Sequence, residues 1–229
     1  MAATWLLQPL GLAMNRYPRC ALLHGILVSA SLSSFAETPP PNAPFDAITW
    51  KATMKQEPST GIRMGAFRVR FERTTLDDVR RVASVGEIAH RGDAGESAYW
   101  LCYTNPGATQ AERIWIVADG EMGGREHFIT NISAEFVPNG SATADCPTLP
   151  NNLKPLSLDN RLWLGASEGG ALAKLGASSY KKGAWRSYDF QGKVPGKCEG
   201  SGFDLLAWLL LHFQNGRVNS LQVGQVTSC

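Results

Sequence analysis

Residues 162–176 read LWLGASEGGALAKLG, with three apolar residues running into Gly165-Ala166-Ser167-Glu168-Gly169 ahead of a short helical pattern. G-x-S-x-G between a strand and a helix is the setting in which an α/β-hydrolase exposes its nucleophilic serine. Asp189 and His212 follow in the acid-then-base order of that fold. Ser167 would attack an acyl carbon, His212 would take its proton and Asp189 would orient the imidazole. Cys102 with His127 and Asp119 or Glu121 supplies the ingredients of a cysteine hydrolase instead. Glu126 and His127, with His90 upstream, offer metal-ligand chemistry.

Each set meets a physical objection. An α/β-hydrolase needs a parallel sheet of alternating strands and helices, whereas this chain reads as hairpins with few helical stretches. No His-Gly-Gly run upstream offers an oxyanion hole, the largest stabilising contribution in acyl transfer. His212 falls inside an apolar run. Ser167 reads instead as a helix N-cap whose hydroxyl accepts from a free backbone N–H, worth about 1 kcal/mol. Adjacent Glu126 and His127 would point to opposite faces of a strand and cannot chelate together. No metal and no cofactor is therefore expected. Arg91-Gly92-Asp93 spells an adhesion tripeptide, too short to carry an argument, and Asn131-Ile132-Ser133 and Asn139-Gly140-Ser141 match glycosylation acceptors.

The elements that must position these residues are legible in outline. Phe67, Val69 and Phe71 alternate with Arg68 and Arg70, the period of a half-buried strand. Thr75 followed by Asp78 reads as a capping box, and Leu76, Val79 and Val82 share one helical face behind it. Three strand-like runs follow, SAYWLCYT, RIWIVAD and EHFITNISAEFV. Residues 138–155 have the composition of a linker. Beyond it the order returns: a helix from Ser167 with Leu172 and Leu175 inward, ending at Gly176, then AWRSYDF, LLAWLLLHF and RVNSLQVGQV. Asn215-Gly216 is a strong hairpin signal, so residues 203–213 are read as strand although Ser201 and Asp204 could cap a helix there.

The expected fold is therefore α+β in two repeats, each a short helical segment plus an antiparallel three-stranded meander. Residues 1–36 form a signal peptide, 37–64 an extended proline-rich leader, 65–137 the first repeat, 138–156 the linker and 157–229 the second repeat. Arg16 and Arg19 supply the positive start of the signal, residues 21–32 its short apolar core, and Ala36 the small-residue exit. Met14 stands at the natural start of such a signal, so residues 1–13 read as an over-long start. An apolar run this short does not span a bilayer, and no membrane insertion is expected once the signal is removed.

The whole chain carries a formal charge of only +2, and basic residues do not cluster, which excludes nucleic acid as a partner. After residue 36 there remain four cysteines, Cys102, Cys146, Cys198 and Cys229, an even number that reads as two disulfides in an exported chain. Cys198 and Cys229 fall at the same end of a meander and are paired, leaving Cys102 with Cys146. Aromatic residues concentrate in the strands. Tyr99, Trp100, Tyr103, Trp115, Trp185 and Tyr188 are assigned to a sheet face that binds a protein or an envelope component, because Tyr and Trp combine apolar area with a polar handle.

The order Gly165, Ser167, Leu175-Gly176, Trp185-Tyr188 and Asn215-Gly216 resembles the repeat shared by the β-lactamase-inhibitor-protein family and the small outer-membrane lipoproteins of the SmpA/OmlA type. The first half departs from that pattern: Arg73 stands where Gly165 does, and Ser84 where the helix-ending glycine is expected. The resemblance implies an exported, disulfide-bonded, non-enzymatic body whose sheets form a concave surface that grips a protein. It does not extend to β-lactamase inhibition, since the loops that enter that enzyme find no match here. No cysteine fits lipid attachment either. The expectation is thus a periplasmic or secreted binding protein. A small serine or cysteine hydrolase using Ser167 or Cys102, and a purely structural envelope protein, are the alternatives.

Overall fold

The alternation at residues 67–71 folds as strand. β1 (Gly61–Met64) and β2 (Phe67–Arg70) make a hairpin in which Val69 is buried and Arg68 and Arg70 face water. The computed structural model describes residues 37–44, 52–93, 97–124, 126–195 and 202–229. The expected signal segment, Cys198 and most of residues 47–54 lie outside the described residues, as does the side chain of Glu121.

Helix α1 (Leu76–Ala83) starts on the anticipated capping box: Asp78 N donates to Thr75 Oγ1 and Thr75 N donates to the Asp78 carboxylate, both at 3.1 Å. Leu76, Val79 and Ala83 face the core, and Ser84 closes the helix in the left-handed region at φ 56°. Four strands follow, β3 (Ala89–Arg91), β4 (Ala98–Asn105), β5 (Ala111–Asp119) and β6 (Asn131–Val137), then β7 (Leu156–Leu158) beyond the linker-like stretch.

Helix α2 (Glu168–Leu175) begins at Ser167 and ends at Gly176. Its inward face differs from the expected one. Ala171 is buried and Leu175 packs half-buried against the core, whereas Leu172 is 41% exposed. Positions four apart share a helix face, and Leu172 sits 100° round from Ala171.

The chain closes with β8 (Tyr180–Lys182), β9 (Trp185–Val194), β10 (Phe203–Gln214) and β11 (Arg217–Ser228). Residues 203–213 are strand, and Asn215 and Gly216 turn the β10–β11 hairpin with φ of 52° and 70°. Two consecutive positive φ values are what a type I′ turn requires, and Asn-Gly supplies them at least strain.

The expectation of two α+β repeats is overturned. The fold is mostly antiparallel sheet, with one eight-stranded sheet in the order β3-β4-β5-β6-β11-β10-β9-β8 and one three-stranded sheet in the order β2-β1-β7. The two runs of strands do not close as separate units, because Asn131 to Glu135 of β6 pair with Gly224 to Ser220 of β11 and make one continuous sheet. Strand β7, from beyond the linker-like stretch, pairs with β1 from before it. Among the described residues α-helix is confined to two eight-residue segments, and α2 spends two of its positions on Gly169 and Gly170. A sheet paired through its middle buries more backbone polar groups in ladders than two open-edged meanders would, which favours the joined arrangement.

One face of the large sheet packs on the main core with α1, α2 and the small sheet; Leu101, Tyr103, Ile114, Ile116, Ile132, Leu209, Leu221 and Val223 are all buried there. Among the described residues no helix is long and apolar enough to cross a membrane.

Candidate functional site

The second face of the large sheet carries the site. Strand alternation and register set Trp100 beside Val117, Val117 beside Asn131, Asn131 beside Gly224 and Gly224 beside Trp208 across five strands. A parallel row runs from Cys102 through Trp115, Ser133 and Gln222 to Leu210.

At the β4 end this face is roofed. Cys102 and Cys146 are joined by a disulfide, and Trp100, Trp115 and Val117 pack with them in a cluster separate from the main core. Backbone bonds hold the roof as well, from Thr104 N to Pro147 O and from Leu149 N to Thr104 O, both 2.8 Å. Cys229 is also disulfide-bonded.

Over β6, β11 and β10 the face opens into a groove of about 570 Å³. Its floor is Val117, Leu206, Trp208, Leu210 and Val226, its polar points are Arg91, Ser97, Asp119, Asn131, Ser133 and Gln222, and residues 40–43 of the leader form one wall. Gly224 is what lets Trp208 lie across β11, since a β-carbon built there would overlap the Trp208 ring and press on Asn131 Cβ. The leader is tied down at both ends of its visible length. Thr38 N donates to Asp145 Oδ2 at 2.6 Å, Trp115 Nε1 donates to Thr38 O at 3.0 Å, and Gln222 Nε2 donates to Pro41 O and Asn42 O at 3.3 and 3.1 Å.

Asp119 and Asp189 are two of the carboxylates on this face. Asp119 accepts from Asn131 Nδ2 and from the Thr130 hydroxyl, and Asp189 accepts from the Ser187 hydroxyl at 2.7 Å. Burial pushes both carboxyls above the usual carboxylate range, partly offset by these hydrogen bonds. A raised native pKa means that the folded state holds its proton more tightly than the unfolded one, so each group lowers stability as pH rises from about 4 through its folded pKa. The double variant Asp119→Asn, Asp189→Asn is expected to flatten that descent in denaturant-unfolding free energies measured from pH 4 to 7. An unchanged slope would show that the two carboxyls do not set it.

The hydrolase constellation is not assembled. Ser167 Oγ accepts from Gly170 N at 3.1 Å, as an N-cap does. Asp189 stands opposite Trp208 and His212 opposite Trp185, four residues apart along the β9–β10 ladder, or roughly 13 Å. His212 tilts against the Trp185 ring, with centroids 4.9 Å apart. Ser167→Ala should therefore cost about 1 kcal/mol in thermal or urea unfolding, while Ser167→Asp should cost almost nothing. Labelling of Ser167 by a fluorophosphonate would refute the capping role. Cys102 is spent on Cys146 and has no thiolate to offer. His127 stacks on Tyr99 at 3.9 Å, with His90 on the same ring at 4.3 Å. Among the described residues no group of three or more His, Cys, Asp or Glu could hold a metal.

The six aromatic residues assigned from sequence to a binding face part ways. Tyr103 and Tyr188 are fully buried on the core side, with the Tyr103 hydroxyl donating to Val85 O. Trp100 and Trp115 are buried under the disulfide roof; Tyr99 and Trp185 are half-buried beside histidines. The groove is instead built on Trp208 and its neighbours Leu206 and Leu210, which the run LLAWLLLHF conceals because its core face and its groove face are both apolar. The polar point Gln222 carries no signal in its own stretch of sequence. No protein-family model, no curated protein and no solved structure matches this chain.

Proposed function

We propose that this is an exported, non-enzymatic binding protein, periplasmic or secreted, that holds a protein or envelope component against the second face of its eight-stranded sheet. The groove over β6, β11 and β10 carries the reading: an apolar floor with a few convergent polar side chains is the usual make-up of a recognition site. Its one acidic wall residue, Asp119, is held by Thr130 and Asn131 and is not free to do chemistry. The Cys102–Cys146 bridge suits an oxidising compartment. The resemblance to the β-lactamase-inhibitor-protein family supports the partner class, a protein gripped by a sheet surface.

The test is site-directed photo-crosslinking in the native envelope. A benzophenone side chain at Val226, on the groove floor, is expected to give one stoichiometric adduct; the same group at Arg81, on the exposed side of α1, is expected to give none. Gly224→Ala, which pushes the Trp208 ring off its seat, should reduce the Val226 adduct several-fold. Equal labelling from both positions, or none from Val226, would leave only the scaffold reading.

A further inference from the structure

Residues 37–44, ETPPPNAP, lie on the groove without forming a strand, and their hydrogen bonds have a spacing. Trp115 Nε1 donates to the carbonyl of Thr38, and Gln222 Nε2 is shared between those of Pro41, three residues on, and Asn42, the next residue, at 3.3 and 3.1 Å. Three consecutive prolines fix φ near −65° and bias Thr38 before them to extended geometry, so this stretch is a polyproline II former. That helix repeats every three residues and rises about 9 Å per turn, so carbonyls three apart point the same way. The two donors stand in one cross-strand row, Trp115–Ser133–Gln222, two strands apart and hence roughly 10 Å. The pitch of the ligand and the spacing of the sheet agree. Polyproline II makes no internal hydrogen bonds, so its carbonyls are free to accept from side chains, and proline cannot donate to a strand edge. Thr38, Pro40 and Pro41 are half-buried while Glu37 and Pro39 face water.

We propose that Trp115 and Gln222 form a two-point receptor for proline-rich segments running across the strands, and that the chain's own leader occupies it as an intramolecular competitor. The partner segment is a protein's exposed x-Pro-Pro-Pro stretch in polyproline II form. This rests on the sheet-face binding reading and narrows its ligand. Occupation in cis means that a partner must displace the leader, so apparent affinity falls by the fraction of chains with a free receptor.

The experiment uses the full chain and the synthetic peptide ETPPPNAPF, followed by Trp fluorescence and calorimetry. Loosening the competitor by Pro39→Gly, Pro40→Gly and Pro41→Gly together should tighten peptide binding at least tenfold over the unaltered chain. Asp145→Ala, which removes the carboxylate that accepts from Thr38 N, should tighten it several-fold and does not depend on the triple variant folding. Adding Gln222→Ala to either variant should cost at least tenfold. The proposal is overturned if folded Asp145→Ala protein gives no gain, if ETGSGNAGF binds equally well, or if the variants turn a dimer into monomers, which would make the occupant a second copy's leader. Crosslinking from Val226 that persists while the peptide fails removes only the proline-segment chemistry; loss of both removes the binding reading itself.

Discussion

Replacing Cys102 and Cys146 together by alanine is expected to lower the unfolding free energy by about 4 kcal/mol, the chain-entropy value for a bridge closing residues 44 apart. Both cysteines are buried, at 2% and 0% exposure, so the alanines meet no new polar demand. The backbone bonds between Thr104 and the 147–149 segment remain, so the segment should loosen without leaving. Trp100 and Trp115 lie directly beneath it, and their emission should shift to the red in the variant. Asp145 belongs to the same segment and anchors Thr38, so the leader should become more accessible to protease as well. Urea unfolding with and without reductant measures the effect. The unaltered chain under reductant should lose at least as much as the double variant, because reductant opens the Cys229 bridge as well. A loss below about 1 kcal/mol would show that the strands and the Thr104 bonds hold this end of the sheet without the crosslink.

Gly61→Ala is expected to destabilise by about 3 kcal/mol or more. Gly61 opens β1 at φ 154°, a conformation that L side chains rarely adopt, and a β-carbon there would overlap the carbonyl oxygen of Val69 in the paired strand. Relief would require β1 to pull away from β2. Since β1 is the central strand of the three-stranded sheet, its pairing with β7 would be disturbed too, and Ile62, Met64 and Leu158 would lose core contact. The same substitution at Gly169 should have the opposite sign. That position is exposed, lies within α2 and has nothing within 4 Å of the added carbon, so alanine should stabilise by about 0.5–1 kcal/mol. Thermal melts of the two single variants decide it; equal shifts would mean that the close approach at Val69 relaxes at no cost.

The places where sequence reading held are those governed by near neighbours. Thr75 and Asp78 form the capping box, Ser167 caps α2, Gly176 ends it, and Asn215-Gly216 turns a hairpin, each through contacts within four residues. The hairpin also settled residues 203–213 as strand, against a leucine content that suits a helix. The reading failed where two periodicities fit the same residues. Leu172 and Leu175 satisfy a helical spacing, but Ala171 and Leu175 satisfy it as well, and packing against the core chose the second pair. The aromatic residues misled for a related reason. Trp and Tyr mark sheets without marking which face is covered, and Trp100, Tyr103, Trp115 and Tyr188 are interior. Trp208, in a run with no polar alternation at all, became the floor of the groove.

Capping, turning and alternation are energetics of a few adjacent residues, so the order of side chains along the chain carries them in full, as do the cysteine number and the near-neutral charge. Joining β6 to β11, bringing β7 beside β1 and laying Pro41 on Gln222, 181 positions away, depend on which distant edges and faces close with the fewest unpaired backbone groups and the least exposed apolar area. That choice is made by the folded whole, and the groove exists only after it.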